Sequence, residues 1–157
     1  MGKSRRSIAL LGICVIGIVA ATVDAQTVNA ASTIMVTATE ATSGTNHANG
    51  PGYRVGDVIA YSDTLKDTAT GSAAGYDAVA CTVVRVLNSV KRAGVLECDL
   101  TARLKNGTLT AQGFVWQNGS DSRLAVTGGT GAYDGATGNL HVSSPSVDTT
   151  QLTFTLQ

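Results

Sequence analysis

Two side chains of this sequence, Asp63 and Tyr61, have the types and the spacing needed for acid–base chemistry. In an extended strand, residues two apart point to the same face, so one face would present a carboxyl and a phenol to a ligand. A carboxyl group buried in an apolar interior has a raised pKa and can act as a general acid. Alternatively, Asp63 begins a turn through residues 64–67, and its carboxylate binds backbone amides. The spacing alone leaves both interpretations open.

Other kinds of catalytic site are hard to build from this sequence. His47 and His141 are the only histidines, and no spacing typical of metal ligands connects them. Gly129 and Gly131 are followed by Asp134 where the dinucleotide-binding fingerprint needs a glycine, and no Gly-x-Ser-x-Gly elbow is present. We therefore expect no metal, no cofactor and no serine-hydrolase chemistry.

The first 25 residues have the features of a secretory signal peptide. Basic residues precede an apolar stretch at 8–21, and Val-Asp-Ala at 23–25 is a small-residue cleavage site. The apolar stretch is shorter than the roughly 20 residues of a membrane span. We therefore expect removal of residues 1–25 and a secreted protein with one domain over 26–157. No membrane association is expected after signal removal.

Charge and composition argue against two classes of protein. Without residues 1–25 the chain keeps 8 of its 11 basic and 10 of its 11 acidic residues, a net charge of −2. Nucleic-acid binding by bulk charge needs a clustered basic surface, so no nucleic-acid partner is expected. With 43% apolar residues, intrinsic disorder is not expected either.

Cys81 and Cys98 are the two cysteines that remain after signal removal, in an oxidising compartment. They face each other in a hairpin if the turn lies at 88–91 and Leu87 is opposite Arg92, a geometry that permits a cross-strand disulfide. The alternative is a free interior thiol. We predict the disulfide.

From residue 33 onward, short segments rich in Val, Thr, Ile and aromatic residues alternate with clusters of Gly, Asn, Asp and Ser. This pattern is typical of strands and turns, and no window shows the apolar stripe of a helix. Eight closely spaced strands indicate an all-β fold, either an antiparallel barrel or a two-sheet sandwich. The predicted strands are 33–40, 55–63, 76–87, 95–104, 108–117, 123–127, 137–143 and 150–156.

The hairpin around Asn-Gly at 106–107 predicts which side chains face the interior. As a two-residue turn, this dipeptide would place Lys105 opposite Thr108, and one face of both strands is then apolar. The other face is polar apart from Phe114 and Trp116, which we expect to pack at an interface. Extending the apolar face into the preceding strand predicts a ligand-lining set of Val79, Val83, Leu96, Leu100, Leu109 and Val115.

The opposite face of the third predicted strand is apolar too. It comprises Ala78, Ala80, Val84 and Val86. We therefore predict a homo-oligomer, a dimer or trimer, unless a loop covers this face. Asn106 and Asn118 each begin an Asn-x-Ser/Thr sequon in a predicted turn, so they are either glycosylation sites or simply favoured turn residues.

The most distinctive segment is AVTGGTGAYDGATG at 125–138, a glycine-dependent turn between two strands. A strand ending in Gly-Gly-Thr-Gly, then an aromatic residue and Gly-Ala-x-Gly, resembles the allene oxide cyclase and dirigent proteins. Segments 56–65, 80–84 and 109–113 are similar to further motifs of these families, in the same order. The resemblance spans about residues 33–154. It implies an eight-stranded antiparallel barrel that binds a small apolar or phenolic ligand without a cofactor.

The resemblance also implies roles for individual residues. Asp63 matches a functional aspartate of the dirigent proteins, where the cyclases have an amide. Glu40 resembles the first-strand carboxylate of the cyclases, although it could equally be a solvated strand end. Thr137 stands where dirigent proteins have an arginine. The lumenal cysteine of the cyclases matches Cys81, which the predicted disulfide would occupy.

Two functions follow from this resemblance. The first is cofactor-free cyclisation, isomerisation or stereochemical guidance, with Asp63, Tyr61 and Glu40 as the catalytic candidates. The second is a non-catalytic barrel that carries a ligand or builds an assembly. A cavity of at least ~300 Å³ with converging polar groups would favour a ligand site, whereas a lumen filled by Leu and Val would favour the structural role.

Overall fold

The computed structural model describes residues 32–48, 50, 52–117, 121–146 and 149–157. The predicted signal peptide and the sequon at Asn118 lie outside these residues. In the part of the chain that is described, no helix is long and apolar enough to cross a membrane.

The protein folds into a closed barrel of eight antiparallel strands, as predicted. Each strand pairs with the next in the chain, and the last pairs with the first. Strand-rich segments separated by short turns favour such pairing between neighbours in sequence. The strands are β1 (Ser32–Asn46), β2 (Val58–Asp67), β3 (Ala73–Asn88), β4 (Ala93–Leu104), β5 (Gly107–Trp116), β6 (Ser122–Gly131), β7 (Gly138–Ser146) and β8 (Thr149–Leu156).

Alternating side chains place one face of each strand in the barrel interior. In β4, the buried residues Leu96, Cys98, Leu100, Ala102 and Leu104 alternate with the exposed residues Glu97, Asp99, Thr101 and Arg103. An eight-stranded barrel has an interior just wide enough for such side chains to fill. Large apolar groups occupy much of the lumen, among them Phe154, Leu65, Leu109 and Leu140.

The β4–β5 hairpin differs from its predicted register by two residues. Leu104 pairs with Gly107, so Lys105 and Asn106 form the turn. The glycine is needed inside β5, because a Cβ at Gly107 would lie 1.9 Å from the carbonyl oxygen of Thr130 in β6. A shift of two residues leaves every side chain on the same face. The predicted interior face of this hairpin is therefore confirmed although the predicted residue pairs are wrong.

The predicted disulfide between Cys81 and Cys98 is present, and the two residues are directly opposite each other in the β3–β4 ladder. Two register shifts follow, so the last pair before the turn is Asn88 with Ala93, and the turn begins one residue later than the predicted position after Leu87. In the chain-entropy model, a cross-link that closes a loop of this length stabilises the fold by roughly 3 kcal/mol.

The outer face of β3 is apolar and exposed at Ala78, Ala80 and Val84, as its sequence indicates. The prediction is wrong for Val86, which is partly buried against the core because a register shift between Val83 and Arg85 precedes it. Ala78 and Ala80, together with residues 42–46 of β1, line a surface groove of about 790 Å³. Phe114 and Trp116 also point outward and are 57% and 42% exposed. These outward positions agree with the prediction from the strand pattern.

Candidate functional site

Two carboxyl groups lie side by side in the otherwise largely apolar lumen. Asp63 is in the middle of β2 and Asp77 is near the start of β3. The backbone N–H of Asp63 donates a hydrogen bond to Asp77 Oδ1 at 3.0 Å. Asp63 is 7% exposed and Asp77 is fully buried. Of the two interpretations left open for Asp63, the turn is wrong, because β2 continues to Asp67 and carries the aspartate inward.

The second carboxyl oxygen of Asp77 has no partner. Among the described residues, Asp77 Oδ2 is the one buried side-chain nitrogen or oxygen that makes no hydrogen bond. Leaving such an atom unpaired typically costs about 1–3 kcal/mol, so its presence calls for an explanation. Asp77 lines an interior cavity of about 40 Å³ together with Tyr61 and Asp63. The other lining residues are Val79, Cys98, Leu100, Val115, Leu124, Val142, Thr150 and Leu152.

Burial raises the pKa of both carboxyl groups. Burial, and then the nearby charge of Asp63, raises the pKa of Asp77 to about 7. Burial and the charge of Glu40 raise the pKa of Asp63 as well. Because burial and the charge of Asp63 disfavour the ionised form of Asp77, Asp77 keeps its proton up to about neutral pH. Asp77 can therefore both donate and accept a proton near neutrality.

The phenol of Tyr61 lies next to this pair. Burial is the main cause of its raised pKa, and the charges of Asp63, Asp77 and Glu40 add to the shift. Tyr61 therefore keeps its proton at neutral pH and remains a hydrogen-bond donor.

A lateral cleft opens the barrel wall beside Asp63. β1 pairs with β8 only as far as Ala38 opposite Thr150, whereas beyond this point β1 stays with β2 and passes a register shift after Glu40. The separation leaves a cleft of about 460 Å³, lined by Ala38, Thr39, Glu40, Tyr61, Asp63, Thr149 and Thr150. Tyr61, Asp63 and Thr150 line both the cleft and the interior cavity. A molecule in the cleft would therefore contact Asp63, one member of the carboxyl pair.

A family model described as the allene oxide cyclase barrel-like domain matches residues 35–154. The chain belongs to this family. No curated protein matches the sequence significantly.

Several solved structures share this allene oxide cyclase-like barrel. Pyocyanin demethylase is 27% identical, with a TM-score of 0.70 over 80% of this chain and 100% of that one. AbnU, an exo-specific intermolecular Diels-Alderase, is 17% identical, with a TM-score of 0.64 over 81% and 98%. The pterocarpan synthase dirigent protein GePTS1 is 17% identical, with a TM-score of 0.62 over 81% and 86%. The last two likenesses show the fold alone.

The structure brings the three catalytic candidates of the sequence together. Glu40 pairs across the β1–β2 ladder with Asp63, and Tyr61 is two residues from Asp63 on the same face. Of the predicted ligand-lining residues, three line the interior cavity and three are packed elsewhere in the core. The first group is Val79, Leu100 and Val115, and the second is Val83, Leu96 and Leu109. Cys81 is in the disulfide and offers no thiol.

Asp77 is the site residue that the sequence analysis missed. It has the same strand parity as Val79, Cys81 and Val83, and all four are buried. Extending the predicted interior face by one more step toward the start of the strand would have found it. The sequence feature that could have identified the site is an acidic residue, Asp77, on the same strand face as Val79, Cys81 and Val83.

Proposed function

We propose that this barrel is a cofactor-independent enzyme that isomerises or cyclises a small molecule with the Asp63–Asp77 carboxyl pair. The observation that carries the proposal is the unpaired Asp77 Oδ2 in the cavity beside Asp63. An acid that is buried, unpaired and half-protonated near neutral pH is suited to proton transfer. The cleft beside Glu40 supplies the route by which the substrate enters.

In this mechanism the proton of the pair is passed to the substrate and then replaced. The protonated carboxyl donates its proton to a basic oxygen, nitrogen or carbon of the substrate, and the neighbouring carboxylate removes a proton from another position. The pair ends with one proton, as it began, so the reaction needs no external oxidant or reductant. General acid–base catalysis of this kind contributes about 10²–10⁴-fold in rate. The apolar walls and the Tyr61 phenol orient the substrate.

The comparisons support a small-molecule substrate. The names of the similar structures describe a demethylase, a Diels-Alderase and a dirigent protein. Pyocyanin demethylase matches over its full length and is the most similar in sequence of the three. We expect this chain, too, to act on an apolar or phenolic molecule.

The experiment begins with the ligand. Native mass spectrometry of the protein purified from its own host, followed by denaturation, identifies any small molecule that copurifies. Precursors of that class are then incubated with the wild-type protein, Asp63→Asn, Asp77→Asn and the control Asp99→Asn, whose side chain is exposed on β4. We expect turnover by the wild type and the control only. Wild-type rates in both lumenal variants would contradict the proposal.

A non-catalytic carrier is the second candidate. The observation that favours it is the small size of the enclosed cavity, about 40 Å³, in a lumen otherwise filled by apolar side chains. Small-molecule sites usually measure about 300–1,000 Å³, which the open cleft reaches and the enclosed cavity does not. Stoichiometric recovery of an unchanged ligand, with no turnover of its precursors, would favour the carrier.

Export and self-association also remain proposals. The disulfide between Cys81 and Cys98 is compatible with an oxidising, extracellular compartment. The exposed apolar residues Ala78 and Ala80 support a homo-oligomer through the outer face of β3. Light scattering of the purified protein and of an Ala80→Glu variant tests this interface, since loss of association is expected in the variant only.

A further inference from the structure

We propose that the ligand of this lumen is an organic cation, a protonated amine, amidine or cationic nitrogen heterocycle, held by the carboxyl groups of Asp63 and Asp77 with Glu40 at the entrance. The inference rests on the proposed function for the location of the ligand. It adds a requirement for charge that a site for neutral apolar molecules does not have.

Three acidic side chains lie in a row across neighbouring strands. Consecutive strands each contribute one carboxyl group: Glu40 from β1, Asp63 from β2 and Asp77 from β3. Asp63 lies between the other two, paired in the ladder with Glu40 and hydrogen-bonded to Asp77. The unpaired oxygen of Asp77, in a fully buried side chain, lines the cavity at the inner end of this row. A hydrogen-bond donor is thus missing at one defined point.

Among the described residues that line the cavity and the cleft, no cationic side chain compensates the charge of these acids. None of the described residues that line the cavity or the cleft is a Lys, Arg or His. The ion pairs found in the described part of the chain, His47 with Asp57 and His141 with Asp121, do not involve these residues. β4 to β7 contribute only uncharged side chains to the cavity, and β8 contributes Thr150 and Leu152. The described lining residues therefore supply no positive charge to balance Glu40, Asp63 and Asp77.

A neutral ligand would make this imbalance worse. It would displace water from the acids and leave the Asp77 oxygen unpaired, which is costly for a buried polar group. A cation with N–H groups would supply both the charge and the missing donor, and charge-assisted hydrogen bonds are the stronger kind. The described residues hold no group of three or more His, Cys, Asp or Glu with a geometry for a metal ion. The cavity of about 40 Å³ has room for the charged nitrogen group alone, so the body of the cation would lie in the cleft of about 460 Å³.

Binding of such a cation should lower the pKa of Asp77. The charged groups near the pair are Glu40 and the two aspartates themselves, with the neutral phenol of Tyr61. Because a bound cation favours the ionised form of Asp77 without requiring that every molecule lose its proton, affinity rises with pH and levels off once free Asp77 is fully ionised. A ligand held by apolar contacts alone would show no such linkage.

The test compares benzamidine, a planar cation with N–H donors, with benzamide, its neutral near-isostere. Isothermal titration calorimetry on the disulfide-bonded protein, at about pH 6 and about pH 8 in buffers of different ionisation enthalpy, gives affinity and proton release. We expect benzamidine to bind at least about tenfold more tightly than benzamide, and more tightly at the higher pH. Asp77→Asn should reduce its affinity by about tenfold or more, and Asp99→Asn should leave it unchanged.

Glu40→Gln provides a second variant whose folding is not in question, because Glu40 is exposed at the cleft entrance. We expect it to weaken benzamidine binding by about threefold. Equal affinity for the two probes, no benzamidine binding at millimolar concentration, or binding that is unaffected by Asp77→Asn overturns the proposal. If a neutral substrate is turned over and the reaction depends on Asp77, the proposal of a cationic ligand is contradicted and the proposed enzyme function is not. If the cation binds but no substrate is turned over, the enzyme function is contradicted and the cationic ligand is not.

Discussion

Asp57 and Asp77 are both fully buried aspartates, yet their surroundings differ completely. The Asp57 carboxylate accepts hydrogen bonds from the backbone N–H groups of Ala48 at 3.2 Å and Arg54 at 2.9 Å, and Oδ2 lies 3.1 Å from His47 Nδ1. Asp77 receives one side-chain hydrogen bond, from the backbone of Asp63, and its other oxygen has none. The first carboxylate is satisfied by its loop, and the second faces the cavity.

The difference appears in the pKa of each group. Burial acts to raise the pKa of Asp57, but the hydrogen bonds from Arg54, His47 and Ala48 outweigh it and hold the pKa below its ordinary value. Burial and the charge of Asp63 raise the pKa of Asp77 to about 7. Burial alone therefore does not determine how a buried carboxyl ionises, because the number of donors decides the direction of the shift.

The loop around Asp57 has a structural role. Its backbone continues the β3 ladder, with Gly56 N–H donating to Val83 O and Val83 N–H donating to Asp57 O, both at 2.9 Å. Tyr53 in the same loop is buried and its hydroxyl donates to Gln117 Oε1. Asp57 thus organises a loop, whereas Asp77 leaves one carboxyl oxygen unpaired in the cavity.

The largest effect should be the loss of turnover in the Asp77→Asn variant. The amide keeps the shape of the side chain but cannot exchange a proton, so we expect turnover to fall by about 10²–10⁴-fold. The melting temperature should stay the same or rise, because the variant no longer holds an ionisable group in an apolar site. Turnover and thermal denaturation on the same preparation measure both. Unchanged turnover, or a clear loss of stability, would put Asp77 in the same class as Asp57.

Asp57→Ala should show the opposite pattern and is the next largest effect. Removal of this carboxylate leaves the N–H groups of Ala48 and Arg54 without their acceptor. We expect the melting temperature to fall by several degrees, with turnover per folded molecule retained. Circular dichroism measures the melting temperature, and the rate divided by the concentration of folded protein measures turnover. An Asp57→Ala protein that melts like the wild type would break the comparison.

The two aspartates should also give stability opposite dependences on pH. The pKa of Asp77 is about 7 in the folded protein and near 3.8 in the unfolded chain, so stability falls as pH rises between these values and then levels off. The pKa of Asp57 is lowered by folding, so its contribution is complete above about 3.8 and is lost as pH falls below that value. Denaturant unfolding of wild type and Asp77→Asn across this range measures the slopes. The fall between about pH 4 and pH 7 should be reduced in the variant, and identical slopes would contradict the assignment.

The smallest effect should come from His47→Ala. His47 Nδ1 is one of the three hydrogen-bond partners of the Asp57 carboxylate, and the His47 side chain is 39% exposed. Because the two backbone donors remain, we expect a smaller drop in melting temperature than in Asp57→Ala. The double variant should be no less stable than Asp57→Ala alone, since both changes remove the same interaction. Additive losses would show that His47 stabilises the loop in another way.

Much of the fold followed from sequence patterns of short range. The eight strands and the disulfide between facing cysteines were predicted, because a period of two and the turn residues are local signals. The pattern left a barrel and a sandwich open, and the barrel was predicted from the family resemblance. The boundaries of β2 were wrong, since the acidic residues Asp63 and Asp67 resemble turn formers. The β4–β5 pairing was wrong by two residues because Gly107 serves the approach of β6, a contact between elements that the hairpin alone does not contain.

By itself the sequence determined which residues share a face, the family, and the aspartate and tyrosine on one face of β2. It did not distinguish Asp57 from Asp77, since each is an aspartate among strand-forming residues. Tertiary structure decided that difference. Folding brings two backbone amides and His47 around Asp57. Closure of the barrel encloses Asp77 beside Asp63 with one oxygen unpaired. Hydrogen bonds depend on where atoms meet in space, and residues distant in sequence supplied, or failed to supply, the donors.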